Sequence, residues 1–221
     1  MATVADYTDP YLETFVPVLP AQPGVCDVCH SAPNPGFLRC KSCATTVSQV
    51  TRPVTTVVPI SLCVAYSQLH DLLRKYKDAS VVLQDRLRPR AAALLGRFLQ
   101  EHRHCLGEWD VLTTVPSGSG REGLHPLSRA IAMLGEFRRQ LVHVLEPGRI
   151  PEGDRHLNAA DDRFRVRTSV DGTHALLVDD MFTTGAAVQS AASALQLAGA
   201  QAIAAVVLGR YVKPDFLTQE F

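Results

Sequence analysis

Two stretches of this 221-residue chain carry side chains whose types and spacing suit chemistry. In the first, Asp179 and Asp180 directly follow a short apolar run, and Thr183-Thr184-Gly185 comes two residues later. Paired carboxylates accept hydrogen bonds from vicinal hydroxyls or face a hydrated Mg²⁺. Threonine hydroxyls and the backbone N–H groups of a helix N-terminus cradle a phosphate. Gly185 lets the backbone approach a ligand closely, and the amides of Ala186 and Ala187 follow it. A plain strand-to-helix turn with an aspartate cap is the alternative reading of the same residues.

The second stretch is Cys26-x-x-Cys29, ten residues, then Cys40-x-x-Cys43. Two such pairs form two tight knuckles whose thiolates converge on one tetrahedral zinc ion. With all four positions filled by protein the role is structural. Redox disulfides are the alternative, and His30 is adjacent enough to stand in for a ligand. Cys63 and Cys105 lie outside the pattern and read as ordinary thiols. A third, weaker feature is Ser117-Gly118-Ser119-Gly120-Arg121, a loop able to turn several N–H groups toward an anion.

These groups need elements to hold them. Ala175 to Val178 is uncharged and apolar, which predicts a strand buried on both faces of a parallel sheet. Small residues from Ala186 to Ala198 predict a helix, with Gly199 closing it. Ligands then sit at the C-terminal ends of the strands. Residues 110–116 read as the first strand of that sheet, with further strands at 141–145, 163–166 and 202–208, the last ending in Gly209, Arg210 and Tyr211 at the ligand face. Residues 54–65 predict a strand beside the knuckles, interrupted by Pro59. Helices are expected over 66–78, 89–104 and 126–139 from their apolar spacing. The first ends in Arg74, Lys75 and Lys77, which suits either a solvated helix end or a ligand contact. Residues 146–163 read as a mobile flap. The fold class expected is α/β: a parallel sheet flanked by helices, with a small N-terminal Cys₄ zinc ribbon. The division expected is an arm over 1–24, flexible or packed on a partner; ribbon and hood over 25–65; and the α/β core over 66–221.

Composition limits the function. Lysine plus arginine equals aspartate plus glutamate at 22 each, so the basic excess of a nucleic-acid binder is missing. No stretch has the length of a membrane span, and the N-terminus lacks the basic start of a signal peptide. A cytoplasmic protein is expected, and in a reducing compartment six cysteines point to metal or thiols.

The segment LLVDDMFTTGAA resembles the phosphoribosyl diphosphate (PRPP) loop of type I phosphoribosyltransferases: an apolar triplet, two acids, a spacer, then Thr-Gly. With the paired CxxC motifs, the chain resembles the ComF-like branch, which couples a zinc ribbon to a type I core, from Cys26 to about Tyr211. Lys75-Tyr76, Val115-Pro116, and Arg155 with Asn158 and Phe164 look like further family segments. Two positions depart from the pattern. Ala187 stands where a hydroxyl residue is usual, and Glu122-Gly123-Leu124-His125-Pro126 replaces Arg-Gly-Phe-Asn-Gln. The resemblance implies Mg²⁺-dependent transfer of 5-phosphoribosyl from PRPP to a nitrogen acceptor, a nucleobase or related heterocycle. It places the 5′-phosphate on Thr183, Thr184, Gly185, Ala186 and Ala187, and the ribose hydroxyls on Asp179 and Asp180. Pyrophosphate falls to Ser117, Gly118 and Ser119, with Lys75 or Arg121. The acceptor would lie near the hood and the tail after 208, where Tyr211 or Phe216 either stacks on it or packs in the core. A homodimer is common in this class. Two alternatives are a PRPP-sensing protein without turnover and a ComF-like zinc-ribbon protein of DNA uptake. For the latter, only Arg39, Lys41 and Arg52 lie near the ribbon, without the aromatic stripe that single strands need.

Overall fold

The computed structural model describes residues 3–32, 36–78, 80–117, 124–151, 153–154 and 156–214. Its centre is a four-stranded parallel sheet in the order β1-β6-β5-β2, formed by β1 (Val57–Val64), β6 (Ala202–Val212), β5 (His174–Phe182) and β2 (Val111–Thr114). Alternation along β5 and β6 divides the core. Leu176, Val178, Val206 and Leu208 face one layer, and Ala175, Leu177, Ala205 and Val207 face the other. The first layer holds α3 (Gln68–Asp78), α4 (Val81–Leu106) and α5 (Pro126–Ile131), through Leu72, Leu95 and Leu127. The second holds α6 (Ala186–Leu197) and the cysteine knuckles, followed by α2 (Lys41–Ser48). The chain is therefore an α/β protein with helices on both faces of a parallel sheet.

Several elements differ from the sequence expectation. Residues near the N-terminus form α1 (Val4–Leu12), started by a capping box in which Thr3 and Asp6 exchange hydrogen bonds. Tyr11 is buried against α4, and Arg97 reaches Thr8 at 3.0 Å and Asp9 at 3.1 Å. Beyond α1, Val16 bridges antiparallel to Leu62 and covers the outer edge of the sheet. The strand expected beside the knuckles is β1 itself, an edge strand of the main sheet, so 110–116 holds the sheet's second strand in chain order. Pro59 is tolerated there because an edge strand can lack an N–H.

α4 begins eight residues before Pro89, so that proline lies inside the helix, and α5 stops at Ile131, short of the expected Arg139. A separate 3₁₀ turn spans Phe137–Arg139. Of the strand expected at 141–145, one parallel bridge from Leu141 to Leu112 forms. β3 (Leu145–Pro147) pairs instead with β4 (Phe164–Val166), so 148–163 is the span of a hairpin. Part of that span is anchored, not loose. Ala159 N–H donates to Gln49, Ala160 N–H to Ser190, and Asp161 accepts from Thr51 and Ser193. No helix among the described residues is long and apolar enough to cross a membrane.

Candidate active site

β5 runs through the acidic pair to Phe182, four residues further than the apolar run alone predicts. The chain then turns at Thr183-Thr184-Gly185 and enters α6. Gly185 has φ +90°, and a Cβ there would lie 2.4 Å from the Phe182 ring. Both the backbone conformation and the space therefore require glycine. α6 is buried along almost its whole length, and its polar residues serve neighbouring backbone. Gln189 receives the Val54 N–H at 2.9 Å and donates to the Val54 carbonyl at 2.7 Å. Ser193 receives the Arg52 N–H at 3.1 Å. These bonds lock the helix N-terminus in front of the turn.

A hollow of about 80 Å³ lies at this corner, lined by Asp179, Thr183 to Ala187, His156 and Arg163. It is of the size of a few waters or one phosphate group. The Thr184 hydroxyl donates to the His156 carbonyl, so the β3–β4 connection leans over the hollow. Asp179 is half-buried on its wall, and its Oδ1 accepts the Asp180 N–H at 2.8 Å. Burial, with the neighbouring Asp180 charge, pushes the Asp179 carboxyl well above the ordinary carboxylate range.

Asp180 behaves differently from the sequence expectation. It is only 4% exposed and faces away from the hollow's lining. Its Oδ2 accepts from the Tyr76 hydroxyl at 2.6 Å, and the Lys77 ammonium spans its two oxygens at 2.9 and 3.0 Å. Burial works against the Asp180 charge, but Lys77, His125 and Tyr76 outweigh it, so the carboxyl sits below its ordinary value. The ammonium at this site is thus Lys77 and not Lys75. Lys75 lies on the exposed side of α3, paired with Asp71 at 2.5 Å. Helical geometry explains this. Positions 73, 76 and 77 share one stripe, and Leu73 and Tyr76 are fully buried, whereas position 75 is about 200° round from 77. An i, i+3, i+4 reading from Leu73 was the signal that separates the two lysines.

A second cavity, of about 340 Å³, opens between the end of β2, the start of α5 and β3. Ser117 lies on its wall with Lys77, His125, Arg129, His143 and Arg167, an assembly of potential cations opposed by Glu146. Ser117 is half-buried. Gly118, Ser119 and Arg121, expected beside it, fall outside the described residues, as do Arg155 and Phe216. Tyr211 is half-buried, its ring centroid 5.7 Å from that of His70.

Cys26, Cys29, Cys40 and Cys43 converge, all buried, with their sulfurs within 4.8 Å of one another. The Cys29 and Cys40 sulfurs are 3.7 Å apart, too far for a disulfide. That spacing matches the edge, about 3.8 Å, of a tetrahedron with metal–sulfur bonds of about 2.3 Å. The residues fit a closed tetrahedral metal site. His30 takes no part, since its Nδ1 meets the Leu19 carbonyl at 2.8 Å. Sequence reasoning missed Arg210 as a partner here. It lies buried on β6, its Nη2 3.5 Å from the Ser31 hydroxyl, which is 3.1 Å from the Cys29 sulfur.

No family model and no curated protein matches the chain. Among solved structures it is similar to a purine phosphoribosyltransferase from Pyrococcus horikoshii Ot3, at 19% identity and a TM-score of 0.37, over 61% of this chain and 90% of that one. It is also similar to a phosphoribosyltransferase from Corynebacterium diphtheriae, at 18% identity and a TM-score of 0.35, over 68% and 98%. A hypoxanthine phosphoribosyltransferase from Staphylococcus aureus matches at 12% identity and a TM-score of 0.36, over 76% and 80%. At these identities and scores the likeness assigns neither substrate nor activity.

Proposed function

We propose that the chain binds PRPP and transfers its 5-phosphoribosyl group to a nitrogen acceptor, a nucleobase or related heterocycle. One observation supports this most: a phosphate-sized hollow bounded by a left-handed Gly185, a helix N-terminus and a carboxylate on the adjoining strand end. The 5′-phosphate occupies the hollow, against Thr183, Thr184, Gly185 and the amides of Ala186 and Ala187. Asp179 accepts from the ribose hydroxyls. The pyrophosphate end extends toward the larger cavity, where Ser117, His125 and Arg129 stand with Lys77.

The anomeric C–O bond breaks, pyrophosphate leaves, and the acceptor nitrogen forms the new bond, with oxocarbenium character at the sugar carbon. The protein positions the parts and stabilises the charges that develop. Asp179 lies on the side of the developing positive charge, and the cationic cavity on the side of the leaving group. Asp180 takes a different part from the one first assigned. Its oxygens are engaged by Tyr76 and Lys77, so it holds Lys77 at the wall of the larger cavity. Magnesium carried in with PRPP would neutralise pyrophosphate charge, and Asp179 is the carboxylate that would face it. The cysteine cluster takes a structural zinc ion, as in a ComF-like ribbon, and four thiolates suit a reducing cytoplasm.

A second reading, binding without turnover, is favoured by the engagement of Asp180 and by Ala187, which offers no hydroxyl to the phosphate. Calorimetry with PRPP and Mg²⁺ tests the common premise: wild type binds and Asp179→Asn binds at least tenfold more weakly. Equal affinity for the two proteins removes both readings. Pyrophosphate release across a panel of nucleobases then separates them, since a binder without turnover releases none with any base.

A further inference from the structure

The buried guanidinium of Arg210 joins the cysteine cluster to the phosphate corner. Its Nη1 donates to the Thr183 carbonyl at 2.8 Å and the Tyr211 carbonyl, and shares a longer contact with the Phe182 carbonyl at 3.2 Å. Its Nη2 points to the Ser31 hydroxyl at 3.5 Å, and that hydroxyl is 3.1 Å from the Cys29 sulfur. The guanidinium also stands over the Phe182 ring, 5.4 Å from its centroid, and this ring packs beneath Gly185. Among the described residues no carboxylate pairs with Arg210, which is 6% exposed. Four thiolates around a divalent metal carry a net charge of about −2, and a buried cation beside them offsets it. Arg210 therefore has a reason to lie where it does in the metal-bound protein, and it holds two carbonyls of the turn from behind.

A trans peptide points its N–H away from the preceding C=O. Fixing the carbonyls of Phe182 and Thr183 on the Arg210 side turns the amides of Thr183 and Thr184 the other way. Arg210 does not line the hollow, whereas Thr183 and Thr184 do. Thr46, three residues after Cys43, adds a weaker hold: its hydroxyl is 3.4 Å from the Thr184 carbonyl, shared with the Ser42 carbonyl at 2.9 Å. We propose that Arg210 is a positioning residue through which the metal-bound cysteine cluster sets the direction of the Thr183 and Thr184 amides, which complete the phosphate cradle begun by those of Ala186 and Ala187. This rests on the corner being a phosphate site. The ligand class is a sugar phosphate, and the consequence is reciprocal coupling: metal binding tightens phosphate binding, and phosphate binding tightens the metal.

Ribose 5-phosphate and zinc are the probes. Titration calorimetry and zinc content are measured on the zinc-loaded full chain for wild type, Arg210→Met and Arg210→Lys. Arg210→Met weakens ribose 5-phosphate by tenfold or more with one zinc per chain retained, and Arg210→Lys, which keeps the charge, recovers part of the loss. Saturating ribose 5-phosphate slows zinc extraction from wild type by a chelator at least threefold. That arm uses the unaltered protein, so it decides the matter even where Arg210→Met fails to fold. Unchanged affinity in a zinc-loaded Arg210→Met protein, or unchanged extraction from wild type, overturns the coupling while leaving the phosphate site in place. Wild type that binds no ribose 5-phosphate overturns the phosphate site, and the coupling falls with it.

Discussion

The corner hollow and the cavity beyond β2 are built by opposite means. The corner hollow is narrow and made largely of backbone: a left-handed glycine, a helix start, and carbonyls tied down from behind. The cavity beyond β2 is about four times larger and made of long side chains whose charges set its character. Backbone amides aimed by a rigid turn lose little entropy on binding and discriminate by shape. Mobile cationic side chains attract charge over a longer range and discriminate less. A substrate with an invariant phosphate at one end and a departing anion at the other suits that division.

Lys77 lines the wide cavity and pairs with Asp180, and its removal has the largest expected effect. Lys77→Met leaves Asp180 buried without its cation and costs about 3 kcal/mol or more in denaturant unfolding, with pyrophosphate binding lost. A loss below about 1 kcal/mol breaks the view that Asp180 depends on this buried pair. Gly185→Ala comes next. It forces a Cβ toward the Phe182 ring at φ +90° and costs about 2–4 kcal/mol, with ribose 5-phosphate binding reduced beyond detection. Retained affinity means that the corner is not a backbone cradle.

Asp179 tests the narrow site by pH. A carboxyl whose folded value is raised holds its proton more tightly in the folded chain than in the unfolded one. Stability therefore falls as pH climbs from the ordinary carboxylate range through the raised value. Ionised Asp179 is the better acceptor for ribose hydroxyls, so affinity for ribose 5-phosphate rises over the same interval. Asp179→Asn flattens both profiles and gives a higher Tm than wild type above neutral pH. A wild-type affinity independent of pH from 5 to 8 excludes Asp179 from the contact.

Smaller effects belong to the wide cavity. Arg129→Gln weakens pyrophosphate by roughly three- to tenfold and leaves ribose 5-phosphate within about twofold, with the pyrophosphate loss shrinking in salt. Equal losses for both probes merge the two cavities into one site. The smallest effect is expected from Lys75→Ala, which removes an exposed pair with Asp71 and shifts Tm by no more than about 1 °C, with PRPP affinity unchanged.

The amino-acid sequence alone determined the parts whose chemistry is local. CxxC spacing brings two sulfurs to one point whatever surrounds them, and the four cysteines do converge. An uncharged apolar run, two acids and a Thr-Gly corner before small residues specify a buried strand, a turn with a left-handed glycine and a helix, as observed from His174 to Leu197. Tertiary structure decided everything that depends on which distant surfaces meet. Asp180 was swallowed because Tyr76 and Lys77 arrive from more than a hundred residues away, and Lys77 displaced Lys75 because α3 docks through its Leu73 stripe. The N-terminal segment became a helix because α4 gave Tyr11 a surface to bury against. Arg210 ends a strand in sequence terms, yet packing sets it between the cysteines and the Thr183–Gly185 corner. Torsional preference and short spacing act within a few residues, whereas the pairing of buried charges is settled only when the layers close.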